Sequence, residues 1–138
     1  MTNVITGKRA RKALLKGINI VADAVKGTLG PQARTAVIGR GNLPPMILND
    51  GVSIVEAVHS DMPEVQVGIQ LIQQVAKQAQ KASGDGTTTA TLIAQALCNS
   101  SFELIEQGAS PVEVFNQIDK ASRIAISFLK ANTIPIST

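Results

Sequence analysis

The sequence contains no tryptophan and no tyrosine, and only three phenylalanines, in 138 residues. Its 44% hydrophobic content is therefore aliphatic, carried by Ala, Val, Ile and Leu, and such side chains suit closely packed helices. A chain of this length fits one domain of ordinary size. The single cysteine, Cys98, excludes an internal disulfide and a cysteine metal cluster, and points to a reducing, cytoplasmic location. His59 is the only histidine, so neither a His-based metal site nor a Ser–His pair can be built within this chain. It reads as a loop residue. No apolar run approaches the ~18 residues of a membrane span. The basic N-terminal region has no apolar core behind it, so no secretory signal is read. A net charge of +3 says little about partners. The one basic cluster (Lys8, Arg9, Arg11, Lys12, Lys16) has no aromatic neighbour to stack on a base, and reads as a solvated helix face rather than a nucleic-acid arm.

What is present is mostly helical periodicity. Asn3 to Gly7 has the composition of an edge strand. From Lys8, the spacing of Leu14, Ile18, Val21, Val25 and Leu29 marks one face of a helix, ended by Gly30-Pro31. Thr35–Ile38 and Met46–Leu48 read as a hairpin around a Gly/Asn/Pro turn, with Pro44-Pro45 confining the second strand to an edge. Asp50 is placed to cap a short helix from Gly51 to about Val58. Asp61 and Glu64, with Pro63 between them, form a capping box for a helix striped by Val65, Ile69, Ile72, Ala76 and Ala79. Gly68 inside that helix implies close packing. The helix stops at Ser83-Gly84. The next helix, Thr87 to Gln107, is apolar nearly all round and is expected to be buried by others. Gly108 ends it, "SPVE" (Ser110 to Glu113) starts the last one, and Phe115, Ile118, Ala121, Ala125 and Phe128 line it to about Ala131. Cys98 reads as a small core residue.

The stretch "SGDGTTTATLIAQAL" (Ser83 to Leu97) calls for a chemical explanation. Threonine is a mediocre helix former, yet three open this helix. A helix N-terminus offers unpaired N–H groups and a positive dipole end, which together bind anions. Gly84 and Gly86 let the backbone approach a ligand. Thr87, Thr88 and Thr89 add hydroxyls for phosphate oxygens, and Asp85 supplies the hard oxygen that Mg²⁺ prefers. It is not a Walker A loop, since no lysine follows the second glycine. Ordinary capping is the bland alternative. Asp50, at a strand-to-helix turn, is either an N-cap or a carboxylate that orients water or binds metal.

"GDGTTTAT" (Gly84 to Thr91) resembles the nucleotide motif of the group I chaperonins, the GroEL family. "KGINIVADAVKGTLGP" (Lys16 to Pro31) resembles that family's first helix and its "TLGP" ending. "NDGVSIVEAV" (Asn49 to Val58) is similar to its "KDGVSVA", and "IDKA" and "IPIS" fall at matching spacings. The resemblance covers the whole chain and implies a mainly α fold, the helical bundle with a small β-hairpin of the chaperonin equatorial domain. It implies that residues 1–133 are the N-terminal portion of that ATP-binding domain and that 134–138 begin the connection to an intermediate domain. It further implies an ATP-hydrolysing chaperonin that assists the folding of unfolded proteins. ATP and Mg²⁺ are the implied cofactors. Unfolded clients, a co-chaperonin and a homo-oligomeric double ring are the implied partners, with neither a membrane nor nucleic acid among them. Carried over one position at a time, Asp85 matches the metal ligand, and Gly86, Thr87, Thr88 and Thr89 match the residues around the phosphates. Thr28, Leu29, Gly30 and Pro31 match the segment packed on the nucleotide, and Asp50 matches the catalytic aspartate near the terminal phosphate.

Three positions depart from the family pattern. Asn49 and Gln32 stand where the family usually has lysine, and Ala33 where it has glycine. Each missing cation is expected to weaken nucleotide binding by ~1 kcal/mol or more if the site is partly buried. The later equatorial segments, with adenine contacts and a second catalytic aspartate, are also missing, so the chain is expected to be part of a longer protein and inactive alone. Two other readings compete. One is a divergent helical assembly module of the same fold without efficient ATP turnover. The other is a basic nucleic-acid binder.

Overall fold

A computed structural model describes residues 4–30, 34–41 and 43–134, without the Arg40 side chain. The order of elements is α1 (Gly7–Lys26), β1 (Ala36–Arg40), β2 (Leu43–Leu48), α2 (Gly51–Ala57), α3 (Pro63–Ser83), α4 (Thr87–Glu106) and α5 (Pro111–Ala131). The chain divides into two compact units, Met1–Asn99 and Ser100–Thr138, with α4 continuing from the first into the second.

The first unit is built on the crossing of α1 and α3. The stripe expected on α1 is buried at Ile18, Val21 and Val25, and that on α3 at Val65, Ile69, Ile72 and Ala76. The two backbones meet at a pair of glycines. A Cβ on Gly68 would overlap the Leu14 carbonyl, and one on Gly17 would overlap the Val65 carbonyl. The close packing expected of Gly68 is thus present, and Gly17 is its unforeseen counterpart. The short helix α2 adds Ile54 and Val55 to this core. Gln73 on α3 holds the end of α2 by donating to the carbonyls of Val55 and Val58, at 2.8 and 3.0 Å. The β1–β2 hairpin is antiparallel, with Val37 opposite Ile47 and a register shift between Ile38 and Arg40. It is longer than expected and includes Pro44-Pro45, tolerated because this is a two-stranded sheet and both strands are edges.

Several expectations are corrected. Within the described part of Asn3–Gly7, Val4 to Thr6 form no strand and Gly7 already begins α1. Among the described residues, β1 and β2 pair only with each other, and Val4 to Thr6 join neither edge. Helix α1 stops at Lys26 rather than running to Leu29, because the Thr28 hydroxyl donates to the Val25 carbonyl at 2.8 Å and the Thr28 N–H takes the same oxygen. Leu29 is consequently exposed. The Asp61 capping box does not form. Met62 is the N-cap, the Gln66 side chain accepts the Ser60 N–H at 2.8 Å, and Glu64 pairs with Arg9 at 3.6 Å instead. Pro63 does occupy the first turn, and Gly84 closes the helix in the left-handed conformation (φ 72°).

Helix α4 is not buried all round. Its buried residues are Thr87 and Thr91, while Ile93 is 57% exposed. The stripe turned to the core runs through Thr87, Thr91, Ala94 and Cys98, and the adjoining Gln95 and Asn99 bond to Asn19 on α1, both at 2.9 Å. A face that is half polar seats the helix, and Ile93 and Leu97 lie off it. Cys98 is a half-buried free thiol whose pKa burial pushes upward, in keeping with a core residue.

In the second unit, Gly108 (φ 102°) turns the chain between α4 and α5, with the Ala109 N–H bonded back to the Leu104 carbonyl at 3.0 Å. Ser110 is the N-cap of α5, but through its backbone: its carbonyl takes the Val114 N–H and its side chain makes no cap bond. The expected stripe is not buried on α5. Val114 is, whereas Phe115 is 69% and Phe128 67% exposed.

Candidate functional site

The threonine turn opens onto a cavity of about 470 Å³ in the first unit. Three separate segments wall it: Thr28 and Leu29 after α1, Asp50 to Val52 at the start of α2, and Gln80 with Gly84 to Thr89 at the α3–α4 junction. Of the residues singled out in the sequence, nine therefore come together here: Thr28, Leu29, Asp50, Gly84, Asp85, Gly86, Thr87, Thr88 and Thr89. Gly30 adopts φ 88° just beyond the wall, and Pro31, Gln32 and Ala33 lie outside the described residues.

Each part of the wall follows from local chemistry. Gly84 and Gly86 both take positive φ (72° and 81°), which a residue with a Cβ enters only at a cost. That double turn delivers the chain from α3 to α4 in three residues, Gly84 to Gly86. The first helical bond of α4 runs from the Ala90 N–H to the Gly86 carbonyl, so the N–H groups of Thr87, Thr88 and Thr89 have no intrahelical acceptor. Asp85 uses one carboxylate oxygen on the Gly86 N–H, at 2.6 Å, and its second oxygen is left for the cavity. The Ser83 hydroxyl lies 2.7 Å from the Asp85 carbonyl and 2.9 Å from that of Ala79, fixing the approach to the turn.

Asp50 is the N-cap that the sequence allowed, and it also lines the cavity. Its Oδ2 accepts the Ser53 N–H at 3.0 Å and the Ser53 hydroxyl at 2.8 Å, making it the N-cap of α2. The same bonds, the backbone one foremost, hold its pKa below the ordinary value, against a small opposing effect of burial. It is therefore a carboxylate at neutral pH, an acceptor for water or a cation and not a proton donor.

The threonines divide their labour. Thr28 Oγ1 donates to Val25, and Thr88 Oγ1 lies 3.4 Å from Thr28 Oγ1. Thr87, almost fully buried, donates to Gln80 Oε1 at 3.1 Å. Thr91 is wholly buried and returns its hydroxyl to the Thr87 carbonyl at 2.8 Å, which makes it a structural residue. Gly51 owes its place to Thr88, whose hydroxyl a Cβ on Gly51 would overlap. Gln80, Gly51 and Val52 were not picked out in the sequence. The repeated Asp-Gly of residues 50–51 and 85–86 was the available hint for Gly51, and nothing local marked Gln80.

Among the described residues, the wall carries two carboxylates and no cation. Asn49 is exposed and adjacent to it. No group of three or more His, Cys, Asp or Glu is placed to hold a metal among the described residues. A hard cation here would thus complete its shell from water and from its ligand's own oxygens, as Mg²⁺ does in nucleotide sites. The residues present fit that group. His59 lies outside the site, with its Nδ1 3.1 Å from the Ala57 carbonyl, and no described helix is long and apolar enough to cross a membrane.

Comparison with known proteins bears on the fold and the family. The chain superposes on a solved structure described as "Crystal structure of group III chaperonin in the open state" with a TM-score of 0.80 at 23% identity, over 93% of this chain and 25% of that one. The chain thus spans a quarter of that protein's length, and the mainly helical fold with one antiparallel hairpin is that of the chaperonin equatorial domain. The assignment to group I rests on the spelling of the sequence motifs alone. The TCP-1/cpn60 chaperonin family model matches residues 21–138, well over half of the sequence, and the chain belongs to that family.

Proposed function

We propose that this chain is the N-terminal, nucleotide-binding part of an ATP-dependent chaperonin subunit and that its cavity binds Mg²⁺–ATP. The observation that carries the reading is the convergence on one cavity of an open helix N-terminus, a double-glycine turn and two carboxylates. The free N–H groups of Thr87 to Thr89 and the dipole of α4 bind phosphate oxygens. Asp85 holds the metal through its uncommitted oxygen. Thr28, Leu29 and Gly30 pack on the nucleotide. Bound there, Mg²⁺–ATP supplies an electrophilic terminal phosphate and the cation that neutralises charge on transfer. Asp50, kept ionised by Ser53, accepts a hydrogen from the attacking water and orients it.

On this reading residues 1–133 are part of the equatorial domain and 134–138 begin the connection to the next. The complete protein assembles as a homo-oligomeric double ring in the cytoplasm and acts on unfolded clients with a co-chaperonin. A second reading draws on one observation: the described wall has no cation, and Asn49 replaces a lysine beside it. In that case the fold serves assembly and turns over ATP poorly.

In the full-length protein, Asp85→Ala is expected to abolish Mg²⁺-dependent ATP hydrolysis while leaving the far-ultraviolet dichroism unchanged, because Asp85 is exposed on a turn. ATP hydrolysis at the wild-type rate in that variant would refute the site assignment. Binding of Mg²⁺–ATP without turnover in the wild type would favour the assembly reading.

A further inference from the structure

The protons of the cavity wall can be followed from bond to bond. The Thr28 hydroxyl proton goes to the Val25 carbonyl. Thr88 is therefore the donor in its contact with Thr28, and Thr87 is the donor to Gln80. These threonines present oxygen lone pairs to a ligand, whereas phosphate oxygens need donors. The backbone of α4 provides some. Among the described side chains of the wall, which include no cation, two keep donors uncommitted: the Thr89 hydroxyl and the Gln80 amide.

Gln80 is well placed for that task. It stands on the last turn of α3, and its own carbonyl takes the Gly84 N–H at 2.8 Å, so its backbone is fixed by the helix closure. Its side chain is held by Oε1, which accepts the Thr87 proton at 3.1 Å. With one end of the planar carboxamide tied, the two N–H bonds of Nε2 are what Gln80 has left for the cavity it lines. A glutamine here also keeps a third negative charge off a wall that already holds Asp50 and Asp85.

We propose that Gln80 is a ligand-binding residue of this site. Its Nε2 donates to a phosphate oxygen of the bound nucleotide, and Thr87 holds the carboxamide in position for that bond. The proposal rests on the nucleotide reading above and adds a neutral donor where the wall lacks a cation.

Titration calorimetry with Mg²⁺–ADP on the wild type and three variants tests it, with melting temperatures measured in parallel. Gln80→Leu removes both ends of the carboxamide. Gln80→Glu keeps the acceptor for Thr87 and removes the donor. Gln80→Lys removes the acceptor and restores a donor. Because Gln80 is exposed on α3, all three are expected to melt close to the wild type. Gln80→Leu and Gln80→Glu should each lose affinity by about tenfold or more, the usual consequence of losing a donor to a charged oxygen, and Gln80→Lys should bind as tightly as the wild type or more so. Wild-type affinity in Gln80→Glu would overturn the proposal, since holding Thr87 would then be all that matters. So would a Gln80→Lys variant as weak as Gln80→Leu. A wild type that binds Mg²⁺–ADP while every variant matches it would overturn this assignment alone, and a wild type that binds no magnesium nucleotide would overturn the nucleotide reading and this one with it.

Discussion

Gly68→Ala is the perturbation that most directly tests the packing behind the site. On an ordinary helix, alanine in place of glycine stabilises by about 1 kcal/mol. Here the added Cβ would overlap the Leu14 carbonyl and come within 2.9 Å of the Leu14 Cα. Both obstacles are backbone, so no rotamer change relieves the clash, and α1 and α3 must separate. The residues that lose contact are the centre of the core: Ile18, Val21, Ile69 and Ile72. Overpacking of this kind costs typically 1–3 kcal/mol and sometimes more, and backbone-on-backbone overlap belongs at the upper end. After subtracting the propensity gain, a net loss of roughly 2 kcal/mol remains. For a chain of this size that corresponds to a fall in melting temperature of roughly 7 °C. Differential scanning calorimetry reads it. The same separation displaces the cavity, because Thr28 follows α1 and Gly84 ends α3, so nucleotide affinity should fall too. Gly17→Ala should behave alike, and the double variant should cost less than the sum, since helices already parted by one Cβ admit the second. An unchanged or higher melting temperature in Gly68→Ala would refute the close crossing.

Asn49→Lys, which restores a cation next to the cavity, should tighten Mg²⁺–ATP binding or speed turnover in the full-length protein; equal affinity and rate by calorimetry and phosphate release would show the substitution to be silent. Asp50→Asn should keep the cap on α2, because Asn caps as well as Asp, but lose ATP hydrolysis for want of an acceptor carboxylate. The Asp50 pKa is lowered on folding, so its contribution to stability is present above its ordinary value of 3.8 and is lost as pH falls through the lower folded value. Acid melting curves of wild type and Asp50→Asn should therefore coincide near neutrality and diverge below pH 3.8, with the wild type losing more; curves that stay together throughout would contradict the cap. The exposure of Phe115, Ile124, Phe128 and Leu129 along α5 predicts that the 138-residue chain self-associates, and, since it spans a quarter of the matched chaperonin's length, it is expected to release no phosphate from ATP by itself. Light scattering and a phosphate-release assay check both, and a monodisperse monomer that turns over ATP would contradict them.

Much of the fold was legible because its determinants are local. The periods of α1 and α3, the Asp50 cap, the left-handed Gly84 and the Pro111 helix start each depend on residues within one or two turns, and a linear reading reaches that far. The threonine turn was legible for the same reason, since its free N–H groups follow from helix geometry alone. Faces were harder. The apolar circumference of α4 suggested burial on every side, but the polar bonds of Gln95 and Asn99 to α1 select which side is covered. The Asp61 box failed because the helix begins one residue later than expected: with Met62 as N-cap and Pro63 first, Glu64 falls at the second helical position and not at the third, which the box requires.

The sequence by itself thus determined most of the helices, the double-glycine turn, the open N-terminus of α4 and, through its motifs, the chaperonin family. Only the tertiary structure decided that Thr28 and Thr88, 60 residues apart, share a wall with Asp50, that the bare Cα of Gly51 leaves room for the Thr88 hydroxyl, and that Gln80 lines the same cavity. Hydrogen bonds within a turn act over a few residues and are written in the local sequence. The distance between two turns is set by how closely α1 and α3 can cross, and that distance depends on two glycines, Gly17 and Gly68, whose effect appears only when the helices are packed together.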